Sequence, residues 1–295
     1  MKKIFIGIVL MVLLIVPIAG ASDIQLINTK DITEKTISSK EDFTHTVFVE
    51  ACTQTWCPPC ATAAAVMHDI YSSGTYDFNY VALVSDMNLY AAKRTNELDV
   101  YYIPDYVFDG NYTRYVGAGE LPDQYINRLI SCGAREVPDI DMSVDVSWLG
   151  LGTLKITVTV QNNEPDNYNG YLRGYVVEKV SRWNTQSGQP YHHAVIGMPF
   201  DRDLTVVSSQ TKALANTYTF TRTWFGAIHG FSDIDKENIE VIAAVYDGDT
   251  GYVVETASGE PTGAANIHQT SSLLILKFLE RYIGKFPILE RILNL

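Results

Sequence analysis

Two cysteines separated by two prolines are the residues of this chain whose types and spacing point most directly to chemistry. They are Cys57 and Cys60, in the stretch Trp56-Cys57-Pro58-Pro59-Cys60. Cysteines at this spacing can form a disulfide, stand as a dithiol, or cycle between the two by thiol-disulfide exchange. The preceding run, Thr46 to Cys52, predicts a buried strand, and residues 61–71 predict a helix. Cys57 would then lie at the helix N-terminus, where free amides favour its thiolate, so redox chemistry is the first hypothesis.

Metal binding is a weaker interpretation of the same residues. Zinc held by Cys57 and Cys60 would need two further ligands, and neither a second Cys-x-x-Cys nor a spaced pair of histidines supplies them. His192 and His193 are adjacent, and neighbours on a strand point to opposite faces, so we expect structural or surface roles for both. The acidic turns near 233–237 and 247–249 lack the complete calcium-loop pattern. We therefore predict no metal and no cofactor.

The N-terminal residues predict export. Lys2 and Lys3 precede an apolar run over 4–18 and small residues at 19–21, the order found in a secretory signal peptide, here residues 1–21. The alternative is an uncleaved anchor, although the apolar run is shorter than the roughly 20 residues of a spanning helix. We expect an extracytoplasmic location, secreted or at the cell surface, where a dithiol can cycle. The four cysteines are too few to hold a fold together by disulfides alone.

The organisation of the chain changes near residue 136. Residues 22–42 are a polar lead-in segment, and residues 43–136 alternate strand and helix, which predicts an α/β domain that closes with an antiparallel hairpin. Residues 137–257 are short alternating runs separated by turns, which predicts an all-β, immunoglobulin-like sandwich. Residues 258–272, rich in small and polar residues, are expected to form a linker.

The last segment, 273–295, predicts an amphipathic helix rather than a membrane span. Its apolar residues recur at spacings of three and four, and charges of both signs occupy other positions. Pro287 is expected to kink the helix or to split it in two. Two interpretations stay open: the helix docks on its own protein or on a second copy, or it associates with a membrane surface.

The stretch Trp56 to Cys60, after an apolar strand, resembles the active site of the thioredoxin superfamily. A second segment, Val100 to Gly110, is similar to the part of that fold in which a proline follows an apolar residue and opens an antiparallel strand. The resemblance covers about 43–135 and implies a thioredoxin-like domain in which Pro104 is cis and lies against the dithiol. The stretch Glu50 to Cys57 also resembles the extracytoplasmic TlpA-like and Omp28-related branches. Omp28-like proteins similarly join a thioredoxin-like domain to a β-sandwich.

The resemblance also implies roles for individual residues. Cys57 would attack a substrate disulfide as the nucleophile, and Cys60 would resolve the resulting mixed disulfide. Trp56 would shield Cys57 and Cys60 from solvent and would provide an apolar surface for the substrate to contact. The backbone of Ile103, just before Pro104, would pair with an extended substrate strand.

Proton handling departs from the family pattern. Thioredoxins often carry a buried acid six positions before the first cysteine, where this chain has Ala51. Glu50 is adjacent, but neighbouring strand residues face opposite sides unless a bulge intervenes. Glu50 is therefore either the proton acceptor for Cys60 or a partly exposed structural carboxylate.

These features predict an exported thiol-disulfide oxidoreductase that exchanges disulfides with protein substrates through Cys57 and Cys60, as a reductant or isomerase rather than a strong oxidant. Its expected partners are protein thiols or disulfides and an unidentified redox donor or acceptor. A formal net charge of −12 argues against nucleic acid, whose phosphates bind basic surfaces. The alternative is a cell-surface binding module in which the β-sandwich holds a partner and the thioredoxin-like domain is a scaffold.

Two other features have open interpretations. Cys52 and Cys132 either pair with each other or are separate buried thiols, depending on whether the fold brings them within bridging distance. Asn111-Tyr112-Thr113 is a single glycosylation sequon that either carries a glycan or does not.

Overall fold

A computed structural model describes residues 43–119, 122–206 and 216–263 of the protein. The predicted signal peptide, the lead-in segment, the amphipathic helix and most of the predicted linker lie outside the described residues. The helices are α1 (Pro58–Ser72), α2 (Leu89–Glu97) and α3 (Asp123–Gly133). The strands are β1 (Val47–Thr53), β2 (Phe78–Val84), β3 (Asp105–Phe108), β4 (Thr113–Val116), β5 (Ile140–Gly150), β6 (Thr153–Asn162), β7 (Tyr168–Asn184), β8 (Pro190–Val206), β9 (Thr217–Phe225), β10 (Ile239–Asp247), β11 (Val253–Gly259) and β12 (Pro261–Thr262).

Strand β1 lies at the centre of the N-terminal half. It pairs in parallel with β2 and antiparallel with β3, and β4 completes a hairpin with β3. Val47, Val49 and Ala51 pack with residues of α1 and α3, whereas Phe48 and Cys52 pack with residues of α2. Helices therefore cover both faces of the strand, which is why its sequence is an apolar run without alternation.

The same sheet continues past the predicted domain boundary near residue 136. Strands β8, β7, β10 and β11 extend it beyond β2, so that the order is β11-β10-β7-β8-β2-β1-β3-β4. Ala194 of β8 pairs in parallel with Ala82 of β2, which joins the two halves. The domain boundaries themselves stay a prediction. The expectation of a free-standing immunoglobulin-like sandwich is corrected, because four of its strands belong to one mixed sheet with β1.

A second sheet covers one face of this extension. Its order is β12-β5-β6-β9, and its long strands alternate buried and exposed residues. The core between the two sheets includes Leu154, Ile156, Val158, Leu172, Val176, Ile196, Phe200, Trp224 and Val241. The alternation predicted from the sequence follows from this packing, since one face of the second sheet meets the core and the other meets solvent.

Strand β8 is a long element that the sequence did not predict. Pro190, Gly197, Pro199 and the charged run 201–203 interrupt its apolar pattern. In the fold it forms a long hairpin with β7, and the register shifts at several points along that pairing. These irregularities accommodate the unfavourable residues, so a strand forms where local propensity opposes it.

Strand structure also extends into the predicted linker. β11 runs to Gly259, and β12 pairs in parallel with β5 while the hydroxyl of Thr262 donates to the carbonyl of Val146 at 3.0 Å. A side chain at position 259 would collide with the carbonyl of Val144, so the small residue there permits close packing rather than flexibility. No helix among the residues described here is both long enough and apolar enough to cross a membrane.

Candidate redox site

Cys57 and Cys60 form a disulfide at the start of α1. Cys57 is the N-cap residue, and its Sγ accepts a hydrogen bond from the amide of Cys60 at 3.3 Å. Pro58 and Pro59 occupy the first helical positions, where an amide would have no partner within the helix. The cysteines are 3% and 1% exposed, so both sulfurs are almost covered. The helix begins where the spacing predicts it.

The segment before β3 lies against the nucleophile position. The Ile103–Pro104 peptide bond is cis, and the carbonyl oxygen of Ile103 is 4.0 Å from Sγ of Cys57. Asp105, the first residue of β3, pairs antiparallel with Cys52 near the end of β1. This register brings two segments that are 46 residues apart in sequence to the same edge of the sheet.

Exposed apolar side chains lie in the loops and at the start of α2 on this edge, and we call the four most exposed of them the apolar rim: Trp56, Leu89, Tyr101 and Tyr102. Their exposures are 64%, 87%, 84% and 76%. Trp56 follows β1, Leu89 follows β2, and Tyr101 and Tyr102 precede β3. Because β1 and β2 are parallel and β3 is antiparallel, all of these positions belong to the disulfide edge of the sheet. Large apolar groups left in solvent beside a reactive group are typical of a surface that binds a partner.

The turn between β1 and Cys57 is held from two sides. On one side, the amide of Thr55 donates to Asp86, and the side-chain amide of Gln54 donates to the hydroxyl of Ser85 at 3.0 Å. On the other side, the hydroxyl of Tyr191 contacts Thr53 and Gln54. Tyr191 is not among the predicted site residues, since nothing in the local sequence pattern separates it from the other tyrosines of the chain.

Glu50 lies on the face of the sheet opposite to α1. It is completely buried, and its carboxylate accepts hydrogen bonds from Arg94 and from the hydroxyls of Tyr175 and Tyr246. Burial alone would raise the pKa of Glu50, but the charge and hydrogen bonds of Arg94 outweigh it, so the pKa is lowered and the carboxylate stays ionised. A carboxylate that is held by Arg94 and has a lowered pKa is a poor proton acceptor, so the expectation that Glu50 accepts a proton from Cys60 is corrected. The alternative expectation, a partly exposed structural carboxylate, is also corrected, because Glu50 is completely buried.

Cys52 and Cys132 are buried free thiols. They pack in different cores: Cys52 with the residues on the α2 face of the sheet and Cys132 with those on the α1 and α3 face. The sheet between them prevents pairing. Burial raises the pKa of both thiols, which suppresses the thiolate form and its reactivity.

His192 and His193 both contact the α1 side instead of pointing to opposite faces. The His192 ring stacks on His68 of α1, with centroids 3.4 Å apart, while His193 meets the edges of Tyr71 and Tyr80. The backbone of His193 is left-handed, with φ of 53°, and this breaks the alternation assumed for a regular strand. Within the described ranges no group of three or more His, Cys, Asp or Glu side chains is arranged to hold a metal.

The sequon residue Asn111 lies in the turn between β3 and β4 and is exposed. β3 runs from Pro104 beside the disulfide toward this turn, and Phe108 near its end pairs with Val49, not with Cys52. The sequon is therefore at the far end of the hairpin from the cysteines. Whether it carries a glycan stays a prediction.

No protein family matches the chain, and no curated protein does. Among solved structures, HBP35 of Porphyromonas gingivalis is similar at 15% identity with a TM-score of 0.54, over 76% of this chain and 79% of that one. AGR_C_4864 from Agrobacterium tumefaciens matches at 12% identity and a TM-score of 0.45, over 75% and 96%. The Schistosoma mansoni thioredoxin pre-protein matches at 20% identity and a TM-score of 0.25, over 32% and 84%.

These likenesses are limited to fold. At 15% identity HBP35 is similar in architecture alone, and the other two scores are too low to support an argument. Within the chain itself, β1 to α3 surround a Cys-x-x-Cys disulfide at a helix N-terminus. The N-terminal half is therefore thioredoxin-like.

Proposed function

We propose that the protein is an exported thiol-disulfide oxidoreductase that exchanges disulfides with protein substrates through Cys57 and Cys60. The observation that carries the proposal is the disulfide at the N-terminus of α1, with Sγ of Cys57 4.0 Å from the carbonyl of Ile103. Helix N-termini stabilise thiolates, and a thiolate is the species that attacks a disulfide.

The reaction begins with the reduced protein. The Cys57 thiolate attacks one sulfur of a substrate disulfide, forms a Cys57–substrate disulfide and releases the other substrate sulfur as a thiolate. The Cys60 thiolate then attacks Sγ of Cys57, forms the Cys57–Cys60 disulfide and releases the second substrate thiolate. The substrate gains two electrons and the protein loses two. An external dithiol donor returns the pair to the reduced state. Isomerisation uses the first step and its reversal on another substrate sulfur.

The two prolines support a reductant or isomerase rather than a strong oxidant. A strong oxidant stabilises its reduced form through a well-stabilised thiolate. Pro58 and Pro59 have no amide hydrogens, so the amide of Cys60 is the one N–H found donating to Sγ of Cys57 in the described structure. Fewer donors to the thiolate favour release of electrons to the substrate.

The apolar rim supports protein substrates. Trp56, Tyr101 and Tyr102 offer apolar area around the disulfide, and burying such side chains against a partner contributes favourable free energy. The backbone of Ile103, whose carbonyl lies 4.0 Å from Sγ of Cys57, would pair with an extended substrate strand. Export is part of the proposal on sequence grounds alone. On the same grounds residues 273–295 either associate with a membrane surface or dock on this protein or on a second copy.

The test is reduction of insulin by the purified protein in the presence of a small dithiol. We expect turbidity from released insulin chains with the wild type and none with Cys57→Ser. A Cys60→Ala variant should accumulate mixed disulfides through Cys57, detectable by mass spectrometry and reversed by a reductant. If the wild type and Cys57→Ser are equally inactive and no adduct is trapped, the oxidoreductase is excluded. Partner binding that persists in Cys57→Ser would then favour the binding module.

A further inference from the structure

The hydroxyl of Tyr191 connects strand β8 to the turn that carries the nucleophile position. It donates to the carbonyl of Gln54 at 3.0 Å, and it lies 2.9 Å from Oγ1 of Thr53. Since the phenol has one hydrogen and gives it to Gln54, the Thr53 hydroxyl is the donor in the second bond. Both interactions span more than 130 residues of sequence.

The carbonyl that Tyr191 holds is also bonded to the backbone of Cys57. The amide of Cys57 donates to the same oxygen of Gln54 at 3.3 Å. A single chain of hydrogen bonds thus runs from Thr53 through Tyr191 and Gln54 to Cys57. Without the phenol hydroxyl, the Gln54 carbonyl would keep its hydrogen bond from the Cys57 amide but would lose its hydrogen bond to β8.

The Tyr191 ring is itself held in place by packing. It is 1% exposed, and burial raises the pKa of its phenol, so the hydroxyl remains a donor at neutral pH. The residues that pack around it come from β2, β8, α1 and β7: Ala82, Val84, Ala194, Ala64 and Trp183. A buried hydroxyl on a fixed ring directs its hydrogen bond more strictly than a hydroxyl on a flexible side chain.

We propose that Tyr191 is a positioning residue for the Cys57–Cys60 couple. It fixes the Gln54 carbonyl and, through it, the backbone of Cys57, so that Sγ of Cys57 stays in line with the amide of Cys60. This inference rests on the proposed function. The second half of the chain then takes part in the chemistry. Tyr191 of β8 holds the turn between β1 and Cys57 from one side, and Ser85 and Asp86 hold it from the other.

The test uses the full-length protein with Tyr191→Phe, which keeps the ring and removes the hydroxyl. The pKa of the Cys57 thiol in the reduced protein is read from ultraviolet thiolate absorbance, and the rate of insulin reduction is measured in parallel. Loss of one directed hydrogen bond should lower the rate about fivefold and raise the thiol pKa by roughly 0.7 of a unit. Thr53→Val, which removes the other donor in the chain, should shift both quantities in the same direction by about half as much.

Tyr175→Phe is the matched control. Tyr175 is equally buried, and its hydroxyl donates to Glu50 at 2.8 Å on the opposite face of the sheet. This variant should lose at least as much free energy of unfolding as Tyr191→Phe while the thiol pKa of Cys57 stays at the wild-type value.

Two results would overturn the inference. One is an unchanged thiol pKa and rate in Tyr191→Phe, and the other is an equal pKa shift in Tyr175→Phe, which would reduce the effect to general stability. Should Tyr191→Phe not fold, Thr53→Val decides by the same two measurements. Thiol titration does not depend on turnover, so an inactive wild type would reject the proposed function without deciding the role of Tyr191.

Discussion

The carboxylate of Glu50 and the guanidinium of Arg94 form a two-pronged ion pair on the side of the sheet away from the disulfide. Nε of Arg94 donates to Oε1 at 2.7 Å, and Nη2 donates to Oε2 at 2.8 Å. The hydroxyl of Tyr175 on β7 donates to the same carboxylate at 2.8 Å. One buried acid therefore links β1, α2 and β7, which belong to both halves of the chain.

Arg94→Met should destabilise the protein strongly. The substitution leaves the buried Glu50 charge without its hydrogen-bonded cation, and breaking a buried pair in this way costs about 3–5 kcal/mol. Urea unfolding followed by circular dichroism measures the loss. Insulin reduction per folded molecule should be unchanged, because the pair lies across the sheet from α1.

Lys93→Met is the control for this prediction. Lys93 is the neighbouring cation on α2, its side chain is 57% exposed, and it pairs with Asp201 at the surface. Exposed pairs contribute less than about 1 kcal/mol. Equal losses in the two variants would show that the Glu50–Arg94 pair contributes no more than a surface contact.

Stability should fall as the pH drops below about 6.5 because of the stacked rings of His68 and His192. The pKa of each imidazole lies below its ordinary value of 6.5, first because of burial and then because of neighbouring histidines. A base with a lowered pKa in the folded state binds its proton more readily when unfolded. Its contribution is therefore complete above pH 6.5 and is lost as the pH falls toward the folded-state pKa.

His68→Phe tests this pH dependence. The phenyl ring can still stack on His192, but it cannot be protonated, and His192 loses a repulsive neighbour. Melting temperatures of the two proteins should be similar at pH 7.5 and should diverge at pH 5, with the variant losing less. If the melting temperatures of the variant and the wild type fall by the same amount between pH 7.5 and pH 5, the His68–His192 pair does not cause the loss of stability at low pH.

The apolar rim should matter more for proteins than for small disulfides. Tyr101→Ser combined with Tyr102→Ser should reduce kcat/KM for insulin about tenfold, since covering part of two aromatic side chains contributes about 1.4 kcal/mol. The reaction with a small aromatic disulfide should change less than about threefold. Tyr218→Ser, at an exposed tyrosine of β9 on the second sheet, is the control. Equal losses with both substrates would place the tyrosines outside substrate binding.

Cys52 and Cys132 should be unreactive in the folded protein. Their thiols are buried and their pKa values are raised, so a maleimide added to the oxidised native protein should label neither. Denaturation without reduction should expose both, and intact-mass analysis should then find two adducts. Labelling at the native stage would show that one core opens on the time scale of the reaction.

The elements of the N-terminal half could be predicted well from the sequence, because the patterns that indicate them are local. A buried strand, a helix that begins after Cys57, and a proline that opens β3 are each visible within about ten residues, and β1, α1 and β3 lie where those signals predict them. Glu50 shows the limit of such reasoning. Strand geometry correctly placed it on the face opposite to Ala51, but its partner Arg94 is 44 residues away and Tyr175 is 125 residues away.

Neither the eight-stranded sheet nor the role of Tyr191 could be predicted, because both depend on contacts between residues far apart in the sequence. β8 carries Pro190, Gly197 and Pro199, and local propensity argues against a strand there. Pairing with β7 over many residues overrides that propensity. Tyr191 is one of 18 tyrosines, and its importance comes from a contact that exists only after β8 has joined β2.

The pairing of β8 with β2 also keeps β2 from being an edge strand of the sheet. Strand β2, Phe78–Val84, is buried along its whole length and contains neither proline nor a charged residue. Natural edge strands usually carry such residues because a bare apolar edge recruits strands from other molecules. With β8 beside it, β2 is an interior strand and has no need of them. A chain cut near residue 136 would turn β2 into an unguarded edge, and we expect such a fragment to aggregate even where its own core could fold.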